Sequence, residues 1–574
     1  MMRSSRAFRL LQIQSRPSHA LYRIPRIQPL RNGYCTACDP PVGTAKKTAQ
    51  STTNPPTPLS DHRQLGIEQE LFMTSTYNPG SPIFLPNGTK LFNRLTNFLR
   101  AQYDHFGFQE VITPTIYKKS LWEKSGHWDN YAEDMYSVTG RGATGEKEGR
   151  QIGEDEEYGL KPMNCPGHCL IFASKQRSYR DLPLRFADFS PLHRNEVHGA
   201  LSGLTRVRRF HQDDGHIFCR PSQILQEITK TLDFIKMTYN VLGLGPYRLA
   251  LSTRPADHFI GTVEEWANAE GALKEALDSS GQKWTLNEGD GAFYGPKIDV
   301  ILKDSNGKEH QTATIQLDFQ LPKRFELEYQ APAPELEQKG ETTTDPDLLD
   351  VQGPVTPVMI HRAVLGSVER IMALLIEHHN GHWPFWLNPR QVMILAVNDS
   401  QQVLDYAQKC KRILQGTDTG SQNAHGAMGM ESQDRISIDI DSSARSLNKK
   451  IREARLKRYS VIAVVGSQDV ASNRLVVDLS AIPNAEGWMV DDLHLRRAVH
   501  DPQSFVSSQG EGEDAPGPQD DSLVRKVGWE NQNHRGASRP LGPPKLEAKQ
   551  LKDMRISAEQ LREFLLSMST TYKA

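Results

Sequence analysis

Polar and charged side chains alternate along the segment from Leu182 to Cys219, and their spacing is that of a β-strand. If 206–216 forms a strand, alternate residues share one face of the sheet. That face carries two arginines, an aromatic ring, an amide, a carboxylate and an imidazole: Arg206, Arg208, Phe210, Gln212, Asp214 and His216. Burying such a row is unfavourable unless a polar ligand pairs with it. The segment therefore predicts a ligand site and not a core strand.

Two further segments extend this polar surface. Arg194 and Glu196 share a face of a predicted strand over His193–Glu196, which the Gly199–Gly203 loop joins to the longer strand. A third strand carries polar residues on one face: Thr312, Thr314, Gln316 and Asp318. Taken alone, that third strand is better explained as the polar face of a half-exposed sheet. Arginines beside an aromatic ring suit a nucleotide, because guanidinium groups bind phosphates and stack on purines.

Cysteines and histidines in the same region could hold a zinc ion. One thiolate and two imidazoles, from Cys165, His216 and His361, would leave the fourth position of a tetrahedral zinc open, as catalytic zinc sites do. Spacing alone does not select these residues. Four others are equally eligible by type: His168, Cys169, His211 and Cys219. A lone cysteine or histidine is more often a core residue than a ligand.

Length and composition limit the class of protein. The chain has 574 residues, enough for about three or four domains of ordinary size. Lys and Arg number 68 and Asp and Glu 69, so a nucleic-acid surface must be a local patch. The sequence contains no apolar run near the roughly 20 residues that span a bilayer. Six scattered cysteines do not form a disulfide framework. We therefore expect a soluble protein of a reducing compartment, with no membrane insertion.

The N-terminal segment has the composition of a mitochondrial transit peptide. Met1–Asn32 contains seven arginines spaced among Ser and Leu, and the first acid is Asp39. A disordered basic tail that binds RNA is the alternative. The lone Cys35-x-x-Cys38 pair lacks the second pair of a four-coordinate zinc site, so we interpret it as incidental. Gly43–Ser60 is typical of a linker.

Two patterns of secondary structure follow. Apolar residues at helical spacing predict a long helix around Leu91–Leu99 that ends at Gly107 and leads into a strand over Phe108–Thr113. Beyond it, strands alternate with helices, which predicts a small α/β domain with a largely parallel sheet. The predicted strands of that domain are Gln391–Val397, Ile436–Ile440, Val461–Val465 and Arg474–Leu479, and its helices are Gln401–Leu414 and Ser446–Lys457. A last strand and helix are predicted over Met554–Met568.

Segments without periodicity interrupt these patterns. Gly140–Gly159 and Ala331–Gly353 are typical of surface insertions, and Gln503–Lys545 has low complexity. We expect the last two to be disordered. The helix Ser446–Lys457 lies in a basic region that could contact a phosphate backbone, although an ordinary solvated helix face explains its charge equally well. The cations of this region are Arg445, Lys449, Lys450, Arg452, Arg455, Lys457 and Arg458.

Nine short motifs, in their order along the chain from Asp61 to about Leu479, resemble those of threonyl-tRNA synthetases. The matching blocks are Asp61–Gly66, Ser125–Trp128, Met163–His168, His193–Glu196, Gly203–Arg208, Gln212–Asp214, Tyr294–Lys297, Gln316–Phe319 and Pro357–Arg362. With the N-terminal segment, the mitochondrial form of the family is the best match. The resemblance implies an enzyme of the mitochondrial matrix that activates threonine with ATP and transfers it to the 3′ end of mitochondrial tRNA(Thr).

The resemblance also implies the architecture. It implies an α+β class II synthetase core, in which helices flank an antiparallel sheet, followed by a small α/β anticodon-binding domain. The implied divisions are a transit peptide and linker (1–60), a catalytic domain (61–387) with insertions near 140–159 and 331–353, an anticodon-binding domain (388–485), a low-complexity insertion (486–553) and a C-terminal strand and helix (554–574). A homodimer is implied, with Leu91–Pro114 at its interface. Because the first motif begins at Asp61, we do not expect the N-terminal editing domain of many family members.

The resemblance assigns site residues by type of ligand. ATP would contact Arg194, Glu196, Arg206, Phe210, Gln311 and Arg370, with Arg194 on the α-phosphate, Glu196 reading adenine and Phe210 stacked on the base. Threonine would contact Gln212, Asp214, Tyr294 and Gln316. The catalytic set would be Arg194, Lys297, Arg370 and His127, the last beside the terminal ribose of the tRNA. Zn²⁺ would be held by Cys165, His216 and His361, and Mg²⁺ would accompany ATP.

Two other hypotheses compete with this one. A synthetase-like protein that has lost catalysis and serves as an accessory or binding subunit would normally have lost the phosphate-binding arginines or the metal ligands, which this chain retains. A class II ligase for prolyl or seryl transfer is disfavoured by the Cys-His-His set. One departure from the family is His198, which stands where Ser is usual, and it bears on the fit of the tRNA acceptor end.

Overall fold

The computed structural model describes residues 61–139, 157–257, 259–417, 435–482 and 551–570. The predicted transit peptide with Cys35 and Cys38, most of the 140–159 insertion and nearly all of the 486–553 segment lie outside these residues. In the part that is described, every helix is too short or too polar to cross a membrane.

Strands and helices are numbered separately in chain order. The strands are β1 (Phe72–Met73), β2 (Ile83–Phe84), β3 (Gln109–Glu110), β4 (Ile116–Lys118), β5 (Ser137–Val138), β6 (Tyr158–Leu160), β7 (Leu184–Asp188), β8 (Pro191–His193), β9 (Arg209–Cys219), β10 (Arg248–Ser252), β11 (Trp284–Asn287), β12 (Lys297–Lys303), β13 (Glu309–Asp318), β14 (Tyr329–Pro332), β15 (Gln352–Val355), β16 (Val358–Ser367), β17 (Val392–Ala396), β18 (Ile438–Asp441), β19 (Val461–Val465), β20 (Leu475–Asp478) and β21 (Met554–Ile556). The helices are α1 (His62–Glu68), α2 (Pro86–Phe106), α3 (Lys119–Ser125), α4 (His127–Asn130), α5 (Cys165–Ala173), α6 (Ile224–Leu242), α7 (Val263–Ser279), α8 (Gln320–Arg324), α9 (Pro334–Lys339), α10 (Pro346–Leu349), α11 (Val368–His378), α12 (Gln401–Gln415), α13 (Leu447–Leu456), α14 (Ser467–Ser472) and α15 (Ala558–Thr570).

Among the described residues, nine strands form one large sheet in the order β11-β10-β12-β13-β16-β9-β7-β3, with β8 also paired to β9. Its pairs are antiparallel, except that β10 runs parallel to β11 and β3 parallel to β7. The predicted antiparallel sheet with flanking helices is therefore confirmed.

The two faces of the central strands differ in chemistry, as a side-chain period of two requires. On β13, Ala313, Ile315 and Leu317 belong to the main hydrophobic core, which also contains apolar residues of α2, α6, α7 and α11. The alternate residues of β13, among them Gln316 and Asp318, lie on the opposite face. The helices thus bury one face and leave the other for polar chemistry.

Helix α2 ends at Gly107 as predicted, but it begins at Pro86, before the Leu91–Leu99 stretch that predicts it. Pro86 occupies its first turn, and Gly107 ends it with φ +73°, a conformation that glycine adopts without a Cβ clash. The strand that follows is shorter than the predicted Phe108–Thr113. The backbone N–H of Thr113 donates to the buried Asp188 carboxylate at Oδ2, 3.1 Å away, and so bonds a side chain instead of a strand partner.

The long polar strand begins three residues later than predicted, at Arg209. Ser202 and Arg206 pair with each other and close a turn, and the Arg208 N–H donates to the Gly80 carbonyl at 2.6 Å. The shorter predicted strand over His193–Glu196 is likewise displaced, since β8 ends at His193. The Ser202–Arg206 turn and the bond from Arg208 to the distant Gly80 therefore shorten the predicted long strand at its N-terminal end.

The segment Ala331–Gly353 is ordered, so our expectation of disorder is wrong. Strands β14 and β15 pair antiparallel and enclose α9 and α10. Glu337 is buried, and its carboxylate accepts from Arg220 at 2.6 Å and from the Tyr329 hydroxyl at 2.7 Å. An acidic composition suggested a solvated insertion, but this acid is paired inside the fold.

The second sheet, within the described residues, has five strands in the order β18-β17-β19-β20-β21. The first three are parallel, as predicted, whereas β20 and β21 are antiparallel additions. The predicted last strand and helix are confirmed as β21 and α15, and they complete this sheet and share its hydrophobic core. The helix α13 matches the predicted basic helix closely.

Several cations of the basic region have partners inside the protein. Lys450 is buried and donates to the Ala396 carbonyl at 2.7 Å. Arg445 pairs with Asp441 at 2.7 Å, and Arg455 pairs with Asp478 at 2.8 Å. Less positive charge is therefore available to a phosphate backbone than the sequence suggested.

A buried ion pair joins β9 to β16 on the core side of the sheet, opposite the polar face. Arg362 Nη1 lies 2.7 Å from Asp213 Oδ2, and both side chains are fully buried. The same carboxylate accepts from the backbone N–H groups of Val364 and Leu365. The guanidinium also lies over the Phe108 ring, 4.1 Å from its centroid.

We predict that Asp213→Asn lowers the free energy of unfolding by about 3–5 kcal/mol, because it leaves a buried guanidinium without its counter-charge. Equilibrium urea unfolding measures this. The control is Glu309→Gln, which removes the exposed carboxylate that pairs with Arg248 and should cost at most about 1 kcal/mol. Equal effects of the two substitutions would contradict the prediction.

Candidate functional site

Two adjacent strands and one helix bring the candidate metal ligands together. In the register of the sheet, His216 of β9 lies directly opposite His361 of β16, and His361 lies opposite Gln316 of β13. Cys165 begins α5, which packs with the β9 and β16 ends in a second apolar cluster. The candidate ligand atoms of Cys165, His216 and His361, which we term the Cys-His-His cluster, lie within 4.8 Å of one another.

The cluster has the donors and spacing that zinc requires. All three side chains are buried, and His216 Nε2 lies 3.0 Å from His361 Nδ1. Two nitrogens bound to one tetrahedral zinc at ~2.0–2.1 Å would be roughly 3.3 Å apart. One thiolate and two imidazoles form a familiar catalytic zinc set with an open position. The residues present therefore fit the ion.

Each histidine of the cluster is oriented by a side chain on the side of the ring that faces away from the cluster. His361 donates from Nε2 to Asp318 Oδ2 at 2.8 Å, which leaves its Nδ1 lone pair directed at the cluster. His216 Nδ1 lies 2.8 Å from His168 Nδ1, and Asp188 stands 3.8 Å beyond His168. Such outer partners fix the ring and the tautomer of a metal ligand.

Burial sets the protonation of the cluster in the absence of a cation. Desolvation raises the pKa of the Cys165 thiol well above its ordinary value, and the nearby Asp214 adds to the shift. Desolvation lowers the pKa of His216 well below its ordinary value. Neutral imidazoles are the form that binds metal, whereas the thiol has to be deprotonated by the ion it binds.

The other candidate ligands lie elsewhere. Cys169 Sγ is 3.9 Å from Met359 Sδ, Cys219 belongs to the main core, and His211 Nδ1 is 2.8 Å from Glu369 Oε1. His168 touches the cluster only through His216. The register of the sheet thus selects among residues that spacing alone could not separate.

A cleft of about 570 Å³ opens beside the cluster on the polar face of the sheet, and we call it the large cleft. Its walls contain the predicted ATP, threonine and catalytic residues Arg194, Glu196, Arg206, Phe210, Gln212, Tyr294, Lys297, Gln311, Gln316 and Arg370. The predicted site residues outside this wall are Asp214, the cluster itself and His127.

The arginines of the large cleft are held in defined positions. Arg194 lies over the Phe210 ring, with its Cζ 5.0 Å from the centroid, and Arg206 pairs with Glu196 at 2.7 Å. Arg370 donates to the Thr205 carbonyl at 3.0 Å. Burial, reinforced by the charges of Arg194 and Arg206, lowers the pKa of Arg370. Three clustered cations create a field that favours a polyanion.

A smaller pocket of about 80 Å³, which we call the inner pocket, connects the large cleft with the Cys-His-His cluster. Both the large cleft and the inner pocket are lined by Gln212, Tyr294 and Gln316. Asp214 lines the inner pocket but not the large cleft. Asp214 Oδ2 accepts from Asn164 Nδ2 at 3.1 Å, while Oδ1 lies 3.8 Å from His216 Nε2. A carboxylate oxygen therefore borders the position where a metal-bound group would sit.

Two predicted residues of the large cleft already have protein partners. Lys297 Nζ lies 3.2 Å from both Asp290 Oδ2 and Asp299 Oδ2. The Gln311 side chain donates to Asp299, and the Gln311 carbonyl accepts from Arg370 Nη1 at 2.5 Å. Asp299 thus anchors both side chains at the edge of the cleft.

His127 lies behind the cluster and not in the wall of either space. Its side chain is buried, its Nδ1 is 2.8 Å from Ser125 Oγ, and its Nε2 is 3.7 Å from Cys165 Sγ. The expected contact with a terminal ribose would require this imidazole to become exposed. The assignment of His127 to the terminal ribose therefore stays a prediction.

Several residues that shape the site carry no predicted role. Tyr131 lies 5.8 Å from Arg194 across the large cleft, and Asn164 donates to Asp214. Asp318 and His168 orient the two histidines. A signal was present for Asp318, which shares the polar face of its strand with Gln316, and for His168 and Asn164, which flank Cys165 in one motif.

Comparisons with known proteins show the family of this chain. The family described as "tRNA synthetase class II core domain (G, H, P, S and T)" matches residues 149–339, and the family described as "Anticodon binding domain" matches residues 391–479. A probable mitochondrial threonine–tRNA ligase of Schizosaccharomyces pombe is 51% identical over 433 residues, which cover 75% of this chain and 86% of the relative. This chain belongs to the threonine–tRNA ligase family.

Other relatives and solved structures support membership of the threonine–tRNA ligase family. The mitochondrial threonine–tRNA ligase of Saccharomyces cerevisiae is 49% identical over 441 residues, covering 74% of this chain and 87% of the relative. A crystal structure titled as the RNA-binding domain of threonyl-tRNA synthetase from Cryptosporidium parvum superimposes with a TM-score of 0.62 at 44% identity, covering 73% of this chain and 92% of that one. A putative threonyl-tRNA synthetase of Aeropyrum pernix gives a TM-score of 0.57 at 27% identity, covering 74% and 90%.

We predict that Asp318→Asn weakens zinc binding by about 10–100-fold, because an amide no longer supplies the negative charge that orients His361. Competition with a chelator measures the affinity. The control is Asp304→Asn, because Asp304 makes the same 2.8 Å bond to a histidine, His310, outside the cluster. Unchanged zinc affinity in Asp318→Asn would contradict this role.

Proposed function

We propose that this chain is the mitochondrial threonine–tRNA ligase of its source, with the two pockets as successive parts of one active site. The observation that carries the proposal is the buried Cys-His-His cluster at the end of an inner pocket that opens into an arginine-lined cleft. Class II synthetases activate an amino acid with ATP, and this family, by name, uses threonine. The cleft suits the nucleotide and the inner pocket suits a small polar amino acid.

ATP with its Mg²⁺ would occupy the large cleft. Arg194 would contact the α-phosphate, and Phe210 would stack on adenine, which requires the base to enter beside the Arg194 guanidinium now covering that ring. Glu196 would read the adenine edge and would exchange part of its ion pair with Arg206 for the nucleotide. Arg370 and Arg206 complete the cationic wall, and Gln311 borders it.

Threonine would occupy the inner pocket. A zinc ion held by Cys165, His216 and His361 with an open position would supply the coordination of the amino and hydroxyl groups. Asp214 Oδ1 would accept from the substrate hydroxyl, while Gln212, Tyr294 and Gln316 surround the amino acid at the junction with the cleft. Valine lacks the hydroxyl and would leave these polar groups unsatisfied.

Activation joins the two pockets. The threonine carboxylate would attack the α-phosphate in line, pyrophosphate would leave, and Arg194 and Lys297 would stabilise the charge of the transition state. The protein contributes position and electrostatic stabilisation and forms no covalent bond. Threonyl transfer to the tRNA 3′ end would follow, with His127 as a candidate for the ribose side if its imidazole becomes exposed.

The remaining assignments are proposals on the same basis. We propose cleavage of a transit peptide within 1–60, residence in the mitochondrial matrix, a catalytic domain over 61–387 and an anticodon-binding domain over 388–485, whose sheet and core are completed by β21 and α15 from the C-terminal segment. We also propose a homodimer through α2 and the strand after it. Ile112, which is 88% exposed beside β3, supports an interface there.

We predict that Cys165→Ala loses zinc and lowers threonine-dependent ATP–pyrophosphate exchange by at least about 100-fold, because the ion would supply several kcal/mol of binding. Exchange assays and metal analysis on the same protein test this. The control is Cys169→Ala on the same helix, which should retain zinc and activity. Folded wild-type protein without any exchange would favour the accessory-protein hypothesis.

We predict that the enzyme activates serine measurably, ~10–200-fold less efficiently than threonine, because serine keeps the hydroxyl and lacks one methyl group. Valine should be rejected by about 10⁴-fold, since it leaves Asp214 and the metal position unpaired. Exchange with threonine, serine, valine and proline in parallel is the measurement. Absence of serine exchange at millimolar concentration would contradict this account of selectivity, and proline activity would contradict the proposed substrate.

A further inference from the structure

The motif Asp61–Gly66 matches the family but lies outside the proposed ATP, threonine and zinc contacts. It forms α1, and its second residue, His62, is buried between two distant parts of the chain. His62 Nδ1 donates to Glu377 Oε1 at 2.7 Å, near the C-terminal end of α11. Its Nε2 accepts from the backbone N–H of Leu204 at 3.2 Å.

These two hydrogen bonds indicate which nitrogen of the His62 imidazole carries the proton. A neutral ring with its proton on Nδ1 satisfies Glu377 and Leu204 together. The other oxygen of Glu377 accepts from Ser305 Oγ at 2.9 Å. Asp61, His62 and Glu377 could be taken for a metal site by residue type, but both ring nitrogens already have protein partners.

Leu204 lies in the loop that leads into the nucleotide-binding strand. The carbonyl of the next residue, Thr205, accepts from Arg370 Nε at 3.0 Å, and the following residue, Arg206, pairs with Glu196. Gly203 packs so closely on the imidazole that an added Cβ would lie 2.1 Å from His62 Nε2. A displacement of Leu204 would therefore move two of the cationic groups that line the large cleft.

We infer that His62 is a positioning residue for the ATP site. It holds the Leu204 N–H against α11, so that the Thr205 carbonyl and the Arg206 side chain keep Arg370 and Glu196 in place for the nucleotide. His62 has no contact with the inner pocket in the described structure. This inference rests on the proposed function and adds a residue to its nucleotide half.

The test uses three variants of the full chain. His62→Leu removes both bonds, and His62→Gln keeps an amide N–H for Glu377 and an amide oxygen for Leu204. Gln64→Ala is the matched control, because Gln64 lies on the exposed side of the same helix and bonds only Glu68 among the described residues. ATP–pyrophosphate exchange gives KM for ATP and for threonine separately, and metal analysis gives the zinc content.

We expect His62→Leu to raise KM for ATP by about tenfold while KM for threonine and zinc content stay unchanged. His62→Gln should recover most of the ATP affinity, and Gln64→Ala should equal wild type. An unchanged KM for ATP in His62→Leu, or equal increases of both KM values, would overturn the inference.

Two further measurements keep the inference separate from the proposed function. If His62→Leu does not unfold cooperatively, His62→Asn replaces it, since the shorter amide reaches only one partner and should show the same rise. If wild type shows no exchange, the proposed function fails, and calorimetric binding of ATP to wild type and His62→Leu tests the positioning role alone. Equal ATP affinities in that comparison would overturn it.

Discussion

The pairing of β9 with β16 is the constraint on which the site depends. It sets His216 opposite His361, residues 145 positions apart in sequence, and the next pairing sets Gln316 opposite His361. Because side chains alternate between faces, a slip of one residue would turn the metal ligands into the apolar core and expose Ile217 and Ile360. The same hydrophobic burial that stabilises the sheet therefore fixes the geometry of the cluster. One strand register therefore determines both the packing of the core and the position of the metal ligands.

Burying the polar face of the sheet costs free energy, and hydrogen bonds within the protein offset that cost. Two buried groups there have defined partners: His361 has Asp318, and Asp214 has Asn164. Asp188 accepts from Thr113 Oγ1 at 2.6 Å and supports the histidine behind His216. These bonds orient the site before any substrate arrives, which is the preorganisation that electrostatic catalysis requires. The arginines of the large cleft also have protein partners, but they are partly exposed to the cleft.

The sequence was most informative where periodicity is strict. The shared face of Phe210, Gln212, Asp214 and His216 follows from the period of two, and the end of α2 follows from Gly107. Strand ends were misjudged where turn bonds intervene, as at Ser202 and Arg206. The order of Ala331–Gly353 was missed because composition does not reveal that Glu337 pairs with Arg220. The choice of three metal ligands among seven candidates depends on the long-range register of the strands, which local spacing does not contain. The resemblance to a family supplied that choice.

Zinc K-edge X-ray absorption on the purified holoprotein, with and without threonine, tests the central claim most directly. We expect one sulfur at ~2.3 Å and two imidazole nitrogens at ~2.0–2.1 Å from the zinc in the absence of substrate. Threonine should add a nitrogen or oxygen ligand to this shell, and valine should not change it in the same way. A coordination shell without sulfur, or one that is identical with and without threonine, would contradict the assignment of the Cys-His-His cluster as the element that selects the amino acid.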